Sequence, residues 1–138
     1  MSKRILVPVD GSPQSEDALG FAAEEWPEAT LELLHVIDPV EAGYSAGRVP
    51  STGEEWYDSA KERAEEYFEQ ARGLVGNEVT TRTEVGRPAA TIVDVAEMDE
   101  VDMVVIGSHG RKGISRILLG SVAEHVVRES PVPVTIVR

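Results

Sequence analysis

Apolar and polar positions follow two alternating rhythms along this chain. Short apolar runs at 4–9 (Arg4-Ile5-Leu6-Val7-Pro8-Val9), 30–37, 101–106 and 133–137 predict strands. A further strand is expected at roughly 78–85, after the turn residues Gly73 and Gly76-Asn77. Between these runs the apolar residues recur at helical spacing. Ala18, Leu19, Ala22, Ala23 and Trp26 form one stripe, and Trp56, Tyr57, Ala60, Ala64, Tyr67, Phe68 and Ala71 form a second within 54–72. A third helix carries Ala89, Ile92, Val93 and Ala96 on its inner face, and a fourth, 121–129, carries Val122, Ala123, Val126 and Val127.

The punctuation agrees with that division. Ser12 suits a helix N-cap, with Pro13 at the first helical position and Glu16 and Asp17 in the first turn. Pro27 and Pro131 stop helices, and Arg87-Pro88 opens one. The resulting order, β-α-β-α-β-α-β-α-β with Val, Ile and Leu in short strands, is that of a single α/β domain over 1–138. Its parallel sheet is expected to be covered by helices on both faces. Residues 38–53, with Pro39, Gly43, Gly47, Pro50 and Gly53, fit neither rhythm and read as a functional flap or a disordered loop. The acids Asp58, Glu62, Glu65, Glu66 and Glu69 lie opposite the second stripe and read as a solvated face.

Composition narrows the class. A length of 138 residues with 41% hydrophobic content suits one folded core. No apolar run approaches the roughly 20 residues that span a bilayer. The first apolar run is too short for a secretory signal, and there is no cysteine, so a cytoplasmic protein is expected. A formal net charge of −12 argues against nucleic-acid binding, which needs cationic surface. Lysine is scarce, Lys3, Lys61 and Lys112 against ten arginines. That pattern suits a host working in concentrated salt, or simply a biased base composition.

One stretch departs from this acidity. Gly107 to Ser121, GSHGRKGISRILLGS, joins the fourth strand to the last helix. No acid occurs between Asp102 and Glu124, where the chain average predicts about four, and Arg111, Lys112 and Arg116 fall inside. Glycine-rich strand-to-helix loops let backbone N–H groups approach an anion, so the stretch is expected to hold phosphate. In an open parallel sheet, ligands bind at the carboxyl ends of the strands where the strand order reverses. If the first and fourth strands are neighbours there, Asp10 offers a carboxylate to ribose hydroxyls and the Gly107 loop offers amides to phosphates.

Familiar alternatives fail. The loop has Lys112-Gly113 with no hydroxyl after the lysine, so it is not a Walker A motif. Asp10-Gly11-Ser12-Pro13 does not supply a dinucleotide-binding G-x-G-x-x-G, and Asp10 lacks the acidic neighbour that a phosphorylation receiver needs. What fits is Gly107-x2-Gly110-x9-Gly120-Ser121, which resembles the ATP-binding signature of the universal stress protein family. Ile5 to Ser12, Leu33 to Asp38, Gly86-Arg87-Pro88 and Pro131 to Val134 are similar to the family too, so the likeness covers essentially the whole chain.

The resemblance implies a flavodoxin-like, doubly wound five-stranded parallel sheet in the order 3-2-1-4-5, of the adenine nucleotide alpha hydrolase type. It implies an ATP-binding regulatory or stress-response protein that usually dimerises. By the same analogy Asp10 contacts the ribose and Val36 meets adenine through its backbone. Gly107 approaches ribose and phosphates, while Gly110, Gly120 and Ser121 hold the phosphates. Mg2+ or Mn2+ is expected to be carried by the triphosphate, because the chain lacks an acidic cluster for a metal site of its own.

Plainer roles stand beside these. Asp10 suits a turn, Ser121 suits the N-cap of the last helix, and Gly120 suits close helix packing. His109, His35 and His125 need no catalytic role. No residue is evidently placed to activate water, so binding rather than turnover is expected, with no catalytic residue. A slow ATPase and an interaction module that keeps the loop only for folding are the alternatives. The last strand, at 133–137, has an uncovered apolar edge preceded by prolines, and a homodimer formed through it is expected.

Overall fold

A computed structural model describes residues 3–40, 53–108 and 119–138, with the backbone alone for Gly53 and Glu54. The elements are β1 (Arg4–Pro8), α1 (Pro13–Glu25), β2 (Thr30–Ile37), α2 (Gly53–Arg72), β3 (Val79–Val85), α3 (Pro88–Met98), β4 (Met103–Gly107), α4 (Ser121–Glu129) and β5 (Val134–Val137). All pairings are parallel, and the strand order is β3-β2-β1-β4-β5. Fold class, element order and sheet order are therefore as expected. The order reverses between β1 and β4, because β2 and β3 extend to one side and β4 and β5 to the other.

Strand alternation sorts the core into two layers. Ile5, Val7, Leu31, Leu33 and Val105 point to one face, where Ala18, Leu19 and Ala22 of α1 and Ala64, Phe68 and Ala71 of α2 cover them. Leu6, Leu34, Val104 and Ile106 point to the other, beneath Ile92, Val95 and Ala96 of α3 and Val126 of α4. Phe68 is fully buried, and burial of such a side chain contributes about 1.5–3 kcal/mol. The inner face of α3 differs from expectation at one position: Val95 is buried and Val93 only half so. Positions 92, 95, 96 follow the i, i+3, i+4 rule as well as 89, 92, 93, 96 do, and the helix's rotation on the sheet chooses between them.

β4 begins at Met103, two residues later than the apolar run suggests. Asp102 is exposed and is engaged with the start of β1: its N–H donates to Arg4 O, and its Oδ2 accepts from Arg4 N, both at 2.8 Å. Asn77 similarly ties the entry of β3 to the turn between α1 and β2, its Nδ2 donating to Trp26 O and Ala29 O. The irregular segment read at 38–53 lies mostly outside the described residues, which resume with α2 at Gly53. No helix among the described residues is long and apolar enough to cross a membrane.

Candidate functional site

β1 and β4 are direct neighbours, with Ile5 level with Met103 and Leu6 with Val104. Continued up the strands, that offset sets Val9-Asp10 beside Gly107-Ser108. The structure thus brings together the two ends that the strand-order argument needs, at the point where the order reverses.

Asp10 is half-buried just beyond β1 and is held in one orientation. Its Oδ1 accepts from Ser12 N at 3.0 Å and from the Ser12 hydroxyl at 2.5 Å. Ser12 is at once the N-cap of α1, its Oγ accepting from Ser15 N at 3.2 Å. The Ser15 hydroxyl donates to Ser12 O at 3.0 Å. These bonds occupy Oδ1 and give Oδ2 no partner among the described residues. The turn that makes this possible has Gly11 at φ +79°, a conformation that side chains other than glycine rarely adopt.

The opposite wall comes from the first helix-bearing face. A β-carbon on Gly11 would lie 2.4 Å from Tyr67 Cε1, so the Tyr67 ring of α2 lies directly on the turn. Tyr67 meets His35 edge-to-face with ring centroids 5.1 Å apart. His35 Nδ1–H donates to Val9 O at 2.8 Å, which fixes the protonated ring nitrogen, since a carbonyl can only accept. Tyr67 was legible in the sequence only as one member of an apolar helical stripe. Its place beside Asp10 depends on how α2 crosses the sheet.

Val36 sits near the carboxyl end of β2, half-buried, level with Glu84 of β3, and packs toward the α3–α4 layer. Gly107 is the last residue of β4 rather than part of the loop that follows. A β-carbon there would lie 3.0 Å from Gln14 O and 3.2 Å from Gln14 C, in the first turn of α1. Its lack of a side chain thus suits the tight packing of α1 on β4, whatever else it serves. Gly110, His109, Arg111, Lys112, Gly113 and Arg116 lie outside the described residues.

Gly120 and Ser121 are described, and they correct one expectation. Gly120, not Ser121, is the N-cap of α4, with φ −66° and ψ 157°. Ser121 is the first helical residue and is exposed. Gly120 N donates to Ser108 O at 2.8 Å, tying the two described ends of the stretch together, and Gly120 O accepts from Glu124 N. A glycine cap has no side chain to spend on the helix. The first amides of α4 consequently have no side-chain cap, whereas those of α1 are served by Ser12. Uncapped amides at a helix N-terminus favour an anion, although Glu124 in the same turn offsets part of that potential. Among the described residues no group of three or more His, Cys, Asp or Glu side chains could hold a metal ion.

Comparison with known proteins agrees with this architecture. The model of the universal stress protein family matches residues 1–138. The chain is 33% identical to universal stress protein MJ0531 of Methanocaldococcus jannaschii over 148 residues, covering 99% of this chain and 82% of that protein. It is 34% identical to universal stress protein MJ0577 of the same organism, covering 100% of this chain and 96% of the relative. The solved structure of MJ0577 superposes with a TM-score of 0.82 over 99% of this chain and 96% of that one, at 34% identity. The universal stress protein of Archaeoglobus fulgidus in complex with dAMP superposes with a TM-score of 0.67 at 26% identity, over 100% of this chain and 98% of that one. With its sheet order and the match over residues 1–138 in agreement, the chain belongs to the universal stress protein family.

Proposed function

We propose that this protein binds ATP at the carboxyl ends of β1 and β4 as a regulatory, stress-response protein of the cytoplasm. The observation that carries the reading is the placing of a fixed carboxylate, Asp10, across the strand-order reversal from the glycine-capped N-terminus of α4. An acid suits ribose hydroxyls and open amides suit phosphate, so the two together suit a nucleotide. The dAMP complex of the Archaeoglobus fulgidus relative supports an adenine nucleotide in particular.

In this reading Asp10 accepts from the ribose through Oδ2, and the Val36 backbone meets adenine. Gly107 allows close approach of ribose and phosphates. Gly110, Gly120 and Ser121 hold the phosphates, with the α4 amides behind them. A divalent cation, Mg2+ or Mn2+, enters with the triphosphate and neutralises part of its charge. The protein works as a homodimer paired through β5, the edge strand whose four residues are only half-buried.

Thermal unfolding with and without ATP and Mg2+ tests the reading, together with mass spectrometry of nucleotide carried through purification. A ligand at one hundred times its dissociation constant should stabilise the fold by about 2.7 kcal/mol. No shift with ATP, at low or at high salt, overturns the reading. Phosphate release measured over hours separates binding from slow hydrolysis.

A further inference from the structure

At the amino end of the strands, away from the crevice, a carboxyl group lies inside the sheet-to-helix layer. Glu32 of β2 is only 2% exposed and stands in a run that is otherwise apolar on its buried positions. Its Oε1 accepts from Arg4 Nη2 of β1 at 2.5 Å. Its Oε2 is buried and receives no donor from any described residue. Glu32 stands level with Thr80 of β3, two residues before Arg82, and its carboxyl meets that of Asp99, the C-cap of α3, on this side of the sheet. Asp99 Oδ1 in turn accepts from Arg82 Nη1 of β3 at 2.6 Å, and Arg82 Nε donates to Glu84 Oε2 at 2.8 Å.

This line of side chains joins β1, β2, β3 and the end of α3, and its charges do not balance as drawn. Two guanidiniums, Arg4 and Arg82, face three carboxyls, Glu32, Asp99 and Glu84. The nearby Asp102 carboxylate accepts from the Arg4 backbone N–H and is exposed to solvent, outside this line of side-chain contacts. Thr80, level with Glu32 on β3, has a buried hydroxyl without a partner among the described residues. Two ionised carboxylates cannot hydrogen-bond to one another, but a carboxyl and a carboxylate can.

We propose that Glu32 and Asp99 share one proton, and that this proton latches the C-terminal end of α3 onto the sheet. With the proton on Glu32, Oε2–H donates to Asp99, every carboxyl in the line has a partner, and the charges sum to zero. Loss of the proton to solvent sets two carboxylates face to face in a buried place, and repulsion drives out the more mobile one. Asp99 is that one, because it sits on a helix end and not inside a strand. The next residue, Glu100, has φ +50°, so the chain turns there through a conformation that a non-glycine residue resists. Asp99's ties to Glu32 and Arg82 hold that turn closed.

The direction of titration agrees. Burial, and then the contact with Asp99, push Glu32 up to about 7, against an opposing pull from Arg4. Asp99 is held below its ordinary value, first by the hydrogen bond from Glu32 and then by Arg82. A raised carboxyl makes the fold relatively more stable in its protonated form. The contribution is complete below about 4.5, fades as pH rises, and is gone above about 7.

The test reads Glu32 directly, in the intact protein, by carbon-13 NMR titration of its carboxyl carbon. A midpoint near neutrality is expected, and one in the ordinary glutamate range overturns the proposal. Asp99→Asn should lower that midpoint; an unchanged midpoint means burial alone and also overturns it. Amide exchange then reads the latch. Protection of Ala96 to Asp99, relative to Ile5 to Val7, should fall by at least about tenfold between about pH 5 and pH 8 in the wild type. In Glu32→Gln, whose amide donates to Asp99 at every pH, it should not fall. An equal fall in that variant sinks the latch. Should Glu32→Gln not fold, the wild-type and Asp99→Asn titrations still decide. None of these readouts involves a nucleotide, so their outcome is independent of the proposed ATP site.

Discussion

The carbonyl oxygen of Gln14 lies 3.0 Å from where a β-carbon on Gly107 would stand. The first turn of α1 is therefore seated so closely against the end of β4 that a methyl group there needs the backbone to give by a few tenths of an ångström. Gly107→Ala forces backbone against side chain and is expected to destabilise by about 1–3 kcal/mol, as overpacking usually does. Urea unfolding checks this in the absence of nucleotide. An unchanged midpoint would free Gly107 from its packing role and return it wholly to ligand binding.

Gly11 carries a double constraint. Its φ of +79° alone should make Gly11→Ala destabilising by about 1–2 kcal/mol, and the new methyl also collides with the Tyr67 ring. Truncating the ring removes the second effect and leaves the first. A double-mutant cycle with Tyr67→Ala is thus expected to be non-additive, the pair costing less than the sum of the singles. Strict additivity would mean that the ring simply swings away.

Glu100 takes the left-handed position after the C-cap of α3, where helices usually place glycine. Glu100→Gly is expected to stabilise by about 0.5–1 kcal/mol, the relief of the strained backbone exceeding the added freedom of the unfolded chain. Thermal unfolding at pH values on both sides of neutrality measures it. A destabilised variant would show that the Glu100 side chain holds something that outweighs its backbone strain.

Ser121 heads α4 without capping it, so its hydroxyl is not committed to the helix's own amides. Under the proposed function, Ser121→Ala weakens ATP binding by roughly 1–3 kcal/mol, about 5- to 150-fold, with little loss of stability in the unliganded protein. Isothermal titration and unfolding of the apo form read the two halves separately. Equal affinity for ATP would remove Ser121 from the site.

How much of this could be read without the coordinates differs by kind of feature. The ends of α1 were legible because Ser12 and Pro13 act through local geometry, and the Ser12 cap forms as expected. β2 was legible to the residue at 30–37, since a continuous apolar run bounded by turns leaves a strand little choice. The N-cap of α4 was misplaced by one residue, because serine and glycine both cap helices and only the dihedrals tell which does so. Gly107 was recognised by its spacing, yet its packing against Gln14 joins residues more than ninety positions apart and leaves no local trace. Tyr67 was hidden for the same reason.

From periodicity alone the chain was bound to be an alternating α/β domain with a parallel sheet, because strand and helix rhythms are local and burial requires both faces to be covered. The sheet order followed from family resemblance, and the pairing of β1 with β4 realises it. The Tyr67–His35 wall and the Glu32–Asp99 contact arose instead from long-range packing, whereas Asp10 is oriented locally by Ser12. Side chains far apart in the chain meet only once helices choose their rotation on the sheet, and no short-range pattern encodes that choice. Glu32 is the clearest case: in the sequence it is one acid among 25, and only its neighbours in three dimensions make it a buried one.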